Sequence, residues 1–209
     1  MVVDLETLVV FVPVALALAL TPGADMLFAL GQGIRSGPMT GIAAGLGGAT
    51  GALCHTLAAG LGLAALLGAY PLAFEVVRWS GVAYLLWLAF QAFRAPPISL
   101  NAKTASHSTP VQAWRSGVLV NILNPKVAVF VLALVPQFIE PSRGSVFLQF
   151  LVFGSILSFA GAVVNSMVGA FAGKIGAVIS QSASAARVLQ MATGLIFLGL
   201  AVKLAFERR

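Results

Sequence analysis

The chain has 209 residues, 59% of them hydrophobic and 9% charged, with a formal net charge of +6 and a mean hydropathy of +1.00. Soluble domains carry about 25% charged residues, so this sequence cannot cover a water-facing surface and its solvent is the bilayer. The positive charge is scattered over short polar breaks without a basic stripe, which excludes a nucleic-acid partner, and the lone Cys54 excludes an internal disulfide or a dithiol redox pair.

Six apolar segments follow one another, each long enough for a hydrocarbon core of about 30 Å. The opening MVVDLETLVV holds two acids and no basic n-region, so no cleaved signal peptide is expected. The first span covers 5–31 and is interrupted by Thr21-Pro22-Gly23. The second, over 41–67, carries Gly41/Gly45 and Gly47/Gly51, small residues four apart that let a neighbouring helix approach closely. The third, over 71–93, ends in YLLWLAFQAF, aromatic residues suited to the membrane interface. A polar linker over 94–114 contains four prolines. The fourth span covers 117–139 and is interrupted at Asn124-Pro125; the fifth covers 147–171 and the sixth 188–206.

The two halves look related. A shift of 103 residues places Pro22 on Pro125, Gly41 on Gly144 and Gly51 on Gly154, and sets LALTPGADMLFAL against VNILNPKVAVFVL. A unit of three spans is odd, so its second copy enters the membrane from the other side. Inverted repeats with an interrupted segment in corresponding places point to a transporter's binding site. The expected organisation is therefore a first repeat over 1–94, a linker over 95–113 and a second repeat over 114–209. Arg35, Arg94, Lys103, Arg115, Lys174 and Arg187 fall on the linker side, against Arg78 and Arg143 on the other. Without the C-terminal Lys203, Arg208 and Arg209, this bias puts the linker in the cytoplasm and both termini outside.

Asp25 is the one acid inside a span. A carboxylate at that depth costs about 2.5–3.5 kcal/mol even on insertion scales, so it faces a bundle interior and has a partner. Pro22 removes a backbone donor and frees carbonyls before it, while the half-helix after it offers free N–H groups and a positive dipole end. Two roles fit Asp25: a cap on a kinked helix, or a binding group. Two also fit Lys126, which follows Asn124-Pro125: snorkelling to the headgroups, or sharing an interior site with Asp25. Asn121 and Asn124 bring amides suited to a ligand or to the broken backbone. His55 is either a neutral hydrogen-bonding group or a proton-coupling site; Asn165 and Gln149 read as interhelical hydrogen-bonding groups. Cys54, His55 and His107 lack metal-ligand spacing, and no phosphate-cradling Gly-Lys-Ser/Thr loop is present.

Thr21-Pro22-Gly23-Ala24-Asp25, His55 ahead of Leu61-Gly62-Leu63, and Asn124-Pro125-Lys126 followed by Pro136-Gln137-Phe138 resemble the LysE/RhtB family of bacterial amino-acid exporters. The likeness spans nearly the whole chain in span count, linker position and motif order. One departure is Ala24, where the family commonly has a second proline. The resemblance implies export of amino acids or close derivatives across the inner membrane, driven by the proton gradient without ATP or a cofactor. It places site roles on Pro22, Gly23, Asp25, Asn124, Pro125 and Lys126.

The expected protein is thus an all-α, multi-pass exporter of six helices in two inverted repeats, with helices 1 and 4 broken at Pro22 and Pro125. Its partners would be an amino acid, protons and the lipid bilayer, with self-association left open. Asp25 would take the substrate's ammonium group or the coupling proton, and Lys126 with the half-helix N-termini would take the carboxylate. One in-span acid favours neutral amino acids over cationic ones. The rival readings are an exporter of a metal ion or another solute, a channel or lipid-handling protein, and a membrane thiol oxidoreductase, the last disfavoured by the single cysteine.

Overall fold

In a computed structural model the described residues are 2–69, 71–94, 107–175 and 183–206; the expected linker's 95–106 lies outside them. Among the described residues the chain is helical with no strand. The helices are α1 (Leu5–Leu20), α2 (Ala24–Ser36), α3 (Pro38–Ala69), α4 (Pro71–Arg94), α5 (Pro110–Ile122), α6 (Pro125–Val129), α7 (Val146–Ala170) and α8 (Ala183–Phe206). A π-helical segment, Phe130–Leu134, and a 3-10 segment, Val135–Phe138, continue α6 without a gap.

Helix α1 starts where the Asp4 side chain accepts a hydrogen bond from Thr7 N at 3.1 Å, a side-chain cap for an otherwise unpaired amide. Its inward stripe is Phe11, Ala15 and Leu18, while Val9, Val12, Leu16 and Leu20 stay exposed on the apolar outer surface. Pro13 lies within α1 without ending it, whereas Pro22 ends it. The difference is the neighbours: Thr21 folds both N and Oγ1 back onto the Ala17 carbonyl, and Gly23 continues in extended backbone. The chain bends by 52° between α1 and α2, and by 53° between α5 and the helical run ending at Phe138.

Part of α3, Pro38–Gly62, and all of α7 are long and apolar enough to cross a membrane; counting each bent pair as one span raises the total to four among the described residues. Helix α3 packs against α2, α5 and α7, and α4 packs against α8. The small-residue pairs of α3 serve two different neighbours. A Cβ on Gly41 would lie 2.5 Å from the Gly169 carbonyl oxygen of α7, and one on Gly51 would lie 2.7 Å from Asn121 Cβ of α5. The main apolar core joins α1, α7 and the run after α6. There Phe11 meets Phe153 at 4.7 Å and Phe138 edge-on at 5.0 Å between ring centroids.

One boundary and one residue equivalence differ from the sequence reading. Helix α5 begins at Pro110, inside the stretch assigned to the linker, because Thr109 and Gln112 form a reciprocal capping box with Pro110 in the first turn. Composition marks that stretch as polar, but its spacing is a helix start. Gly41 and Gly144 are also not equivalent: Gly41 is inside α3, whereas Gly144 has φ +116° in the turn before α7. The conformational match of Gly144 is Gly37, φ +92°, in the turn before α3. Both adopt backbone that L side chains rarely enter.

Candidate functional site

The two breaks meet. Asn121 Nδ2, from α5, donates to Asp25 Oδ2 at 2.8 Å, and Asn124 Nδ2, from the second break, donates to Asp25 Oδ1. The half-buried Asp25 is therefore held at both oxygens by neutral amides. In the other direction, Lys126 Nζ donates to the carbonyls of Thr21 at 3.0 Å and Leu18 at 3.5 Å.

The proline geometry explains two of these partners. A proline leaves the carbonyl four residues earlier without its i+4 donor; Leu18 O and Asn121 O accept instead from Thr21 N at 3.2 Å and Asn124 N at 2.9 Å, and each takes a second, long-range donor. Lys126 reaches the first carbonyl. His55 reaches the second, with Nε2 3.1 Å from Asn121 O. A carbonyl only accepts, so Nε2 carries the hydrogen. Each break thus borrows a donor from another part of the chain.

The half-helix ends are unlike one another. Lys126 N is taken by its own cap, Asn124 Oδ1, at 3.0 Å, and α6 is only five residues long. One of the free N–H groups at this end is thus taken by the Asn124 side chain. Helix α2 has Gly23 as its N-cap and no side-chain cap. Gly23 also makes room for the lysine, because a Cβ there would lie 2.8 Å from Lys126 Nζ.

Asp25 and Lys126 line one small cavity of about 30 Å³, together with Asn121, Ser158, Gly161 and Asn165. They make no direct ion pair within 4 Å, unlike Asp4 and Arg143, which pair at 2.7 Å. A second, larger cavity of about 350 Å³ is lined by Pro22, Gly23, Asn124, Pro125 and Lys126 with Tyr84 and Trp87 of α4. Lys126 lines both cavities. His55 lines neither, standing behind Asn121.

The sequence reading missed Ser158 and took Asn165 for an interhelical hydrogen-bonding group. Ser158, Gly161 and Asn165 fall at i, i+3 and i+7, one face of α7, a pattern visible in the sequence once that helix is placed. Asn165 Oδ1 makes no hydrogen bond within the protein. Gln149 was assigned the same interhelical role but instead exchanges two 2.8 Å bonds with the backbone of Glu140, closing the turn before α7.

Residues 16–208 match the family described as LysE type translocator. The chain belongs to this family. A LysE type translocator is a membrane transporter, and the apolar helices agree with a membrane protein. The chain is 34% identical to a Vibrio cholerae uncharacterized membrane protein, covering 97% of this chain and 98% of that one. It is 32% identical to the homoserine/homoserine lactone efflux protein of Salmonella typhimurium, over 91% of this chain and 92% of that protein. It is 28% identical to the leucine efflux protein of an Enterobacter species, over 91% of each. No solved structure matches this LysE-family chain.

Proposed function

We propose that this protein is a secondary exporter of neutral amino acids in the bacterial inner membrane, proton-coupled and independent of ATP. The observation that carries the reading is the crossing of the two breaks, which brings one carboxylate and one ammonium group to a single cavity. A zwitterion needs complementary charges a few ångströms apart. Asp25 supplies the negative charge for the substrate's ammonium group or for the coupling proton; Lys126 supplies the positive charge for its carboxylate. Both protein charges are held by neutral amides and carbonyls rather than by each other, so a ligand that pairs with them displaces no ion pair. Export of homoserine, its lactone and leucine, named for relatives, supports the substrate class.

The same reading takes the protein as six helices in two inverted repeats, over 1–94 and 114–209, joined by a polar linker. Three pairs of features support it. The bends are 52° and 53°; a positive-φ glycine follows each bent pair, Gly37 and Gly144; and the outer ends of the two pairs are tied reciprocally. Asp4 before α1 pairs with Arg143 after the second pair, and Ser108 N before α5 donates to Ser36 Oγ of α2 at 3.0 Å. Two cavities that share Lys126 suit a site reached by more than one route, as alternating access needs.

Asp25→Asn tests the reading. Export of a neutral amino acid should be abolished with expression intact, and undiminished export by this variant removes the centre of the proposal.

A further inference from the structure

Resting on the amino-acid export reading, we infer that the α7 face of the cavity is the side-chain subsite and selects uncharged side chains that donate a hydrogen bond, such as hydroxyl-bearing ones. Ser158 and Asn165 of α7 and Asn121 of α5 line the cavity with relative exposures of 4%, 6% and 2%. Ser158 Oγ, Asn165 Oδ1 and Asn121 Oδ1 have no hydrogen-bond partner within the protein. The Asn121 amide orientation is fixed, because Nδ2 faces the Asp25 carboxylate and the remaining oxygen can only accept.

Buried polar atoms without partners are costly, and three of them line the same cavity as the two charges. A substrate hydroxyl donates to a carboxamide oxygen and exchanges a hydrogen bond with Ser158. An alkyl isostere of the same shape leaves the protein atoms unpaired. Sites built in this way discriminate strongly against the analogue that lacks the polar group. Space is provided at Gly161, on the same face between Ser158 and Asn165, where a Cβ would meet nothing within 4 Å.

The test is counterflow with the full chain in liposomes, using the isosteric pairs threonine/valine and serine/2-aminobutyrate. The hydroxyl member should be exchanged at least about tenfold more efficiently. Ser158→Ala and Asn165→Leu should each bring that ratio toward one. Gly161→Val, which adds volume where there is room for it, should lower threonine exchange relative to serine and so probes the subsite without deleting a polar group. Equal exchange of both members by the unmodified chain, or ratios unchanged in all three variants, overturns the inference and leaves amino-acid export standing. Exchange of no member of either pair overturns the export reading as well.

Discussion

Lys126 Nζ lies 3.0 Å from the carbonyl oxygen of Thr21, so the cation of one helix break closes the backbone of the other. The same ammonium group borders both cavities. Its attachment ties the fold to the proposed site, which sets the expectations for its variants.

Lys126→Met should lose export and also destabilise the protein. The substitution keeps an apolar stem but removes the donor to the Thr21 carbonyl, while Leu18 O keeps its bond from Thr21 N. One unsatisfied buried acceptor costs about 1–3 kcal/mol. Thermal unfolding in detergent, beside transport in liposomes, checks both parts; a variant as stable as the parent would mean that water replaces the ammonium group at no cost.

Gly23→Ala should separate function from fold. Gly23 has φ −159°, extended backbone open to any residue, so alanine introduces no backbone strain. Its Cβ would instead crowd Lys126 Nζ at 2.8 Å, and the flexible lysine end must move. The expected result is a normal unfolding temperature with weakened substrate affinity, read as a raised half-saturation concentration in counterflow.

His55→Gln should retain transport and its pH profile, because a carboxamide can still donate to Asn121 O. His55→Ala should lose about 0.5–1.5 kcal/mol of stability, the ordinary worth of one hydrogen bond, and weaken transport by loosening Asn121 against Asp25. Abolition of proton-driven transport in the glutamine variant would instead make His55 the coupling group.

The Asp4–Arg143 pair should give a pH-dependent contribution to stability. The Asp4 carboxyl lies below its ordinary value of 3.8, first through hydrogen bonds from Thr7 and then through the charge of Arg143. A depressed acid stabilises the fold above its unfolded pKa, and that contribution fades as pH falls through the folded value. The stability difference between the parent and Asp4→Asn should therefore be constant near neutrality and vanish in acid below that range.

The helix breaks were legible because proline and a polar residue inside an apolar run have few other uses. Pro22, Asp25, Pro125 and Lys126 all lie where that logic puts them, at bends or on a cavity. The role of the asparagines was not legible. Asn121 and Asn124 serve neither the backbone nor a ligand alone: both hold Asp25, a relationship between residues nearly a hundred positions apart that no local spacing encodes. Ser158 was missed for a related reason. One serine in an apolar helix resembles a neutral filler until α7 is packed against α3 and its inward face is known. The start of α5 was locally encoded, in the Thr109–Gln112 capping box, but was obscured by the prolines around it.

The central claim is that Asp25 and Lys126 together hold a zwitterion. Counterflow in liposomes, comparing an amino acid with its decarboxylated amine and its deaminated acid, tests this most directly. The account predicts saturable exchange of the amino acid and little of either single-charge analogue. Exchange of the amine or the acid as efficient as that of the amino acid would contradict it.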